Sequence, residues 1–220
     1  SRRQRQMCIR DRYTTFDDAG RFTGFTVREE GNNVVVTANY KLGCFDQAVW
    51  TIAPDGTAAI DFTYNFSGVV DLMGVMFDYP EDKVLSKRWV GDGPYRVWQN
   101  RLHGPQLGVW ENEYNDPIPA ESFTYPEFKG YFANVQWMTL KIQEGTISIC
   151  NRTPQNYVGV YQPRDGRDGL LYTFPATGIS LMKVIPPVRN KVNTTDLIGP
   201  SSQAFWADGA YGGGITLKFE

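Results

Sequence analysis

The stretch KRWVGDGPYRVWQNR, residues 87–101, holds the densest mixture of aromatic and planar polar side chains in the chain. Trp89, Tyr95 and Trp98 supply flat π-faces, while Arg96, Gln99, Asn100 and Arg101 supply fans of hydrogen-bond donors. Rings beside guanidinium and amide groups suit a sugar, whose C–H groups stack on a π-face while its hydroxyls bond to the rim. The same residues also suit a structural turn in which Arg stacks on Trp. Gly91 and Gly93 permit a tight backbone here, and Pro94 stiffens it.

Other chemistries are less well supplied. Glu111 and Glu113 lie two apart in VWENEYND. On one strand face they would approach the separation of about 5–5.5 Å that retaining glycoside hydrolysis requires. Acidic residues so spaced are ordinarily solvated. His103 is the only histidine. A Ser–His–Asp triad, a zinc site or a histidine-pair epimerase therefore lacks partners of its kind. RDGRDG has the Asp and Gly of a calcium loop without its further ligands and reads as two turns. No metal and no cofactor is expected.

Composition narrows the partners. Residues 1–12, SRRQRQMCIRDR, carry five Arg. Arg2 to Asp11 resemble the in-frame translation of a transposase adapter from sequencing-library preparation, and residues 1–12 are set aside as an artefact. Removing five Arg and one Asp takes the net charge from −2 to −6. That balance argues against nucleic acid, which needs a basic face. No apolar run approaches the roughly 18 residues of a membrane span, so no membrane partner is expected. Cys44 and Cys150 are too few for a disulfide framework or a metal site and read as small buried hydrophobes. Thirty-one aromatics among 220 residues fit a large β-core as well as a sugar-binding face.

The elements that must position these groups read as strands. In TAAIDFTYNF, Ala58, Ile60, Phe62, Tyr64 and Phe66 alternate with polar residues, the pattern of a half-buried antiparallel strand. Val34, Val36, Ala38 and Tyr40 share one face of a second strand, and Ile215, Leu217 and Phe219 share a face near the end. VQWMTLKIQ changes phase between Trp137 and Met138, which suggests a bulge or a change of packing surface. DDAG, EEGNN, APDG and QEGT supply turns, and PEDKVLSK makes at most a turn or two of helix. The expected fold is all-β: one large antiparallel sandwich domain over 13–220, with irregular excursions at about 91–130 and 162–177.

The segment RWVGDGPYRVWQNR resembles the W-x-G-x-G-P-x-E-x-Y-x-D-R motif in the C-terminal sandwich of glycoside hydrolase family 2 β-galactosidases. Trp89, Gly91, Gly93, Pro94 and Arg101 match; Arg96, Trp98 and Asn100 stand where that family has Glu, Tyr and Asp. YPEFKGYFANVQW is similar to a following P-x-E-x-G stretch through Pro126, Glu127 and, one residue shifted, Gly130. FPATGISLMKVIPP and LIGPSSQ resemble the tail of a subgroup of the same family.

The resemblance implies a galactose-mutarotase-like supersandwich, truncated on its N-terminal side. It would pack on a TIM barrel of the parent chain that carries both catalytic glutamates. This fragment would then be inactive alone and would shape a cleft for a galactoside or related carbohydrate. Trp89, Arg96, Trp98, Asn100, Arg101 and Glu127 are the implied substrate-facing residues, with Trp206 as the nearest counterpart of a sugar-stacking Trp. The missing Glu and Asp leave the sugar open. The compartment is open too, with the periplasm or cell exterior favoured over the cytoplasm. A free-standing carbohydrate-binding module of the same fold is the alternative.

Overall fold

The computed structural model describes residues 20–70, 72–115, 130–160, 178–187 and 205–220. Twelve strands follow in chain order: β1 (Arg21–Glu30), β2 (Asn33–Lys41), β3 (Phe45–Ile52), β4 (Ala58–Val70), β5 (Met73–Phe77), β6 (Val84–Gly93), β7 (Gln106–Asn112), β8 (Trp137–Ile142), β9 (Gly145–Asn151), β10 (Tyr157–Gly159), β11 (Ile179–Val184) and β12 (Phe205–Phe219). The only helical element among the described residues is a 3₁₀ turn at Glu81–Lys83, inside PEDKVLSK.

The strands form an antiparallel sandwich. Nine make one sheet in the order β1-β2-β3-β4-β12-β9-β8-β6-β7, and three make a second in the order β10-β11-β5. Every pairing is antiparallel. The turns fall where Gly, Asn and Asp cluster. Gly31 has a φ of 62° between β1 and β2, and Gly56 one of 82° between β3 and β4. These are left-handed values that glycine adopts without strain. Beside Gly56, Asp55 accepts bonds from the Thr57 N–H and hydroxyl, each at 3.0 Å.

Alternation along β4 works as expected. Ile60, Phe62 and Tyr64 are buried while Asp61, Thr63 and Asn65 face water. The small sheet packs on this inner face. Met73 and Val75 of β5, Ile179 and Leu181 of β11 and Val158 of β10 join Ile60, Phe62, Trp89, Leu140 and Ile149 in one core. The opposite side of the small sheet is also covered. There Leu72, Met182 and Ile185 pack with Val97, Tyr131 and Ala133, with Met76, Trp98 and Tyr157 against them. A sheet buried on both faces has no solvent side, which accounts for four successive buried residues in β11, Ile179, Ser180, Leu181 and Met182.

The shared faces on β2 and β12 form with uneven burial, and one expectation is revised. On β2 the buried residue is Val35, on the opposite face from Val34 and Val36, and Val34 is exposed. On β12 Ile215 and Leu217 are buried but Phe219 is exposed. The excursion from 91 onward is not wholly irregular, because Gly91–Gly93 complete β6 and Gln106–Asn112 form β7 beside it. The phase change before β8 arises where the strand begins. Asn134, with a φ of 51°, reverses the chain so that Val135 enters the core and Trp137 emerges on the outer face.

Leu140 is wholly buried in the core, whereas Leu85 is exposed. Leu140→Ala is therefore expected to cost about 2–5 kcal/mol and Leu85→Ala about 0.5 kcal/mol or less. Equilibrium urea unfolding of the two variants checks this.

Candidate functional site: the loop after β6

The inner face of β6 carries Lys87, Trp89, Gly91 and Gly93, alternating with Arg88, Val90 and Asp92 outside. Trp89 is wholly buried. Its ring centroid lies 4.6 Å from that of Phe132, and its indole N–H donates to the Asp92 carbonyl at 3.1 Å. Trp89 is thus a core residue, with no ring face left for a sugar to stack upon.

Gly91 and Gly93 act through close approach. A Cβ at Gly91 would stand 2.9 Å from the Val135 Cα, and one at Gly93 would meet the Trp110 indole at 2.5 Å. The Trp110 N–H sits between the carbonyls of Gly91 and Gln106, at 3.2 Å from each. Beyond them the chain turns away through Pro94, after a cis Gly93–Pro94 bond.

Residues 95–101 then fold onto the far side of the small sheet. Val97 and Tyr131 exchange backbone bonds of 2.7 and 3.0 Å, and Gln99 N–H reaches the Pro186 carbonyl at 3.2 Å. Trp98 and Arg101 close a tight hairpin turn around Gln99 and Asn100. Trp98 is half-buried on the second apolar cluster, with the Arg96 guanidinium carbon 5.7 Å from its ring centre. Such a cation–π contact holds both planes in a fixed relation. Asn100 is half-buried, Arg101 is exposed, and Tyr95 is 63% exposed beside them. Burial on the same cluster pushes the Tyr157 hydroxyl above its ordinary value.

The structure therefore joins Arg96, Trp98, Asn100 and Arg101 on one loop and holds that loop against Gly130–Tyr131. Glu127 lies outside the described residues. Trp206 is largely exposed on β12, in register with Val69. Its neighbour Ala207 points into the core, so Trp206 faces out from the nine-stranded sheet, on the opposite side of the sandwich from Trp98.

The Glu111–Glu113 pair does not form a shared face: Glu111 is on the outside of β7, 4.0 Å from Arg88, and Glu113 lies beyond the strand's end. His103 is exposed. Among the described residues no His, Cys, Asp or Glu cluster suits a metal ion. Cys44 is half-buried and Cys150 exposed, so neither is the fully buried hydrophobe expected.

One buried cation escaped the reading of the sequence. Lys87 is 2% exposed. Its ammonium donates to the Tyr114 carbonyl at 3.1 Å and to Asn115 Oδ1 at 3.4 Å, 6.0 Å from the Phe132 ring centre. Its place two residues before Trp89, at strand period, was the available signal.

What the arrangement offers is recognition: π-faces, a guanidinium and amides on a braced loop. A scan of protein-family models finds no match to this chain, and a search of curated proteins finds no relative.

Gly130 is where the bracing is tightest. A Cβ there would stand 2.8 Å from the Val97 carbonyl and 2.9 Å from Trp98 Cε2. Gly130→Val is expected to displace the indole and to cost about 1–3 kcal/mol by overpacking. Near-UV circular dichroism, with Trp98→Phe as reference, and the unfolding midpoint check it.

Proposed function

We propose that this chain is the C-terminal β-sandwich of a family 2 glycoside hydrolase, of the galactose-mutarotase-like supersandwich type. It serves as an accessory domain that packs on a TIM barrel of the parent and shapes the carbohydrate cleft. The hydrolytic glutamates belong to the barrel, and this domain is not catalytic alone. One observation carries the reading. The two family-like segments, separated by some thirty residues, lie in backbone contact through Val97 and Tyr131. Together they place Arg96, Trp98, Asn100 and Arg101 on one loop, a site able to stack a pyranose ring and bond its hydroxyls. Trp89 lies in the core against Phe132, the chain neighbour of Tyr131.

The free-standing binding module remains the second reading, favoured by the exposure of Tyr95 next to the Arg96–Trp98 pair. Three measurements test the first reading. The source DNA upstream of codon 13 is expected to continue in frame into a barrel with two glutamates. The isolated chain is expected to leave aryl β-galactosides intact. In the parent enzyme Trp98→Ala is expected to raise KM about tenfold with little change in kcat, the mark of a lost binding contact. Turnover by the isolated chain, or a start codon directly before Tyr13, overturns the accessory-domain reading. Saturable binding of a glycan by the isolated chain supports the module instead.

A further inference from the structure

The two layers of the sandwich are unequal in width, and the excess lies at one end. Phe132, bridged to β10, touches Trp89 on β6. At the other side β5 starts three residues after β4 ends. The small sheet therefore spans from β6 to β4, and the edge of β5 that is unpaired among the described residues faces β3, β2 and β1. Burial of the inner face falls in step with that distance. Phe62 on β4 is 3% exposed, Ala48 on β3 8%, and Phe25 on β1 62%, although all three lie on one register row.

This uncovered end is nonetheless patterned for burial. The inner face of the β1–β2 hairpin presents Phe22, Phe25 and Val27 opposite Tyr40, Ala38 and Val36. Its outer face presents Thr26, Arg28 and Glu30 opposite Thr37, Val35 and Asn33, polar throughout except for Val35, which is buried there at 1% exposure. A hairpin wetted on both faces would not keep such alternation. The charges on β1 gather at its ends, and Glu29 is the single inner-face one, at the turn. The stem between them is apolar.

We infer that this overhang is the contact surface for a second copy of the chain. A molecule whose lower layer projects beyond its upper layer is complementary to itself under a two-fold rotation. Each β1–β2 hairpin then supplies the missing upper layer of the other and stands beside that edge of β5. The area suits it. Phe22, Phe25, Val27, Val34 and Ile52 are between 40% and 62% exposed. At roughly 150–250 Å² for a large side chain they leave about 450 Å² of apolar surface per copy. Two such faces, with half-buried Tyr40 and Val36 added, reach the roughly 1,000 Å² that a specific interface needs. The contact is isologous and closes at two subunits.

Sedimentation velocity of the 220-residue chain over a concentration series tests this. The expected result is a reversible dimer. Phe25→Asp and Val27→Asp, each placing a charge on the inner face, are expected to weaken it about 100-fold or more. Leu107→Asp on the outer face of β7 is expected to leave it intact. Hydrogen exchange on the unaltered chain gives a measure that needs no variant: the amides of β1 become more protected as concentration rises. A monomer at every concentration overturns the inference, whether its face is silent to a hydrophobic dye, hence covered by the chain itself, or dye-binding, hence made for another partner. A dimer that survives both β1 substitutions overturns it as well.

Discussion

The ring of Phe132 lies against that of Trp89 between the two sheets, while its backbone is bonded to Val158 on β10. The residues on either side, Tyr131 and Ala133, point the opposite way, into the second cluster. One short extended segment thus fills the main core, covers the far side of the small sheet and, through Val97, holds the aromatic loop. The loop's geometry depends on this alternation. Remove the inward ring and the segment loses the contact that tells it which way to face.

Polar groups are fitted into this packing at places where glycine gives them room. The Arg152 guanidinium crosses β12 at Gly214 to reach Asp61 at 2.8 Å and the Ile60 carbonyl at 3.1 Å. Asn156 occupies the space that a side chain at Gly213 would fill. On the other flank the Trp110 indole rests on Gly93 and Gly108. In each case the missing Cβ lets a large planar group lie flat on backbone. Strands that look weak by composition are therefore seats for neighbours.

How much of this could be read beforehand depended on whether a strand buries one clean face. β4 does, and its five inward residues were legible at once. β7 does not, because its inward positions are Gly108, Trp110 and Asn112 while Leu107 and Val109 face out. The first half of β12 hid behind the run Gly212–Gly214, which leaves no side chain to count. Trp89 read as a sugar-facing ring from its place in a polar, aromatic stretch and in the family-like motif. The period of two places it with Lys87 on the inner face, and that period outranks composition. Trp98 lies beyond Pro94, where the strand phase no longer applies. Its half-burial follows from packing on the second cluster, which holds Tyr131, Met182 and Ile185 and which no local pattern encodes.

β12 pairs with β4 along most of its length and with β9 at its far end, so it sits in the middle of the nine-stranded sheet. It also follows every other described strand in the chain. On a ribosome, β1–β4 and β6–β9 would emerge as two separate half-sheets, each with a raw inner edge, and among the described strands only β12 bonds to both. Assembly of the large sheet is therefore a closing step that waits for β12, dominated by contacts distant in sequence. Until then the nascent protein presents two strand edges to its surroundings, the kind of state that is prone to aggregation and that chaperones cover.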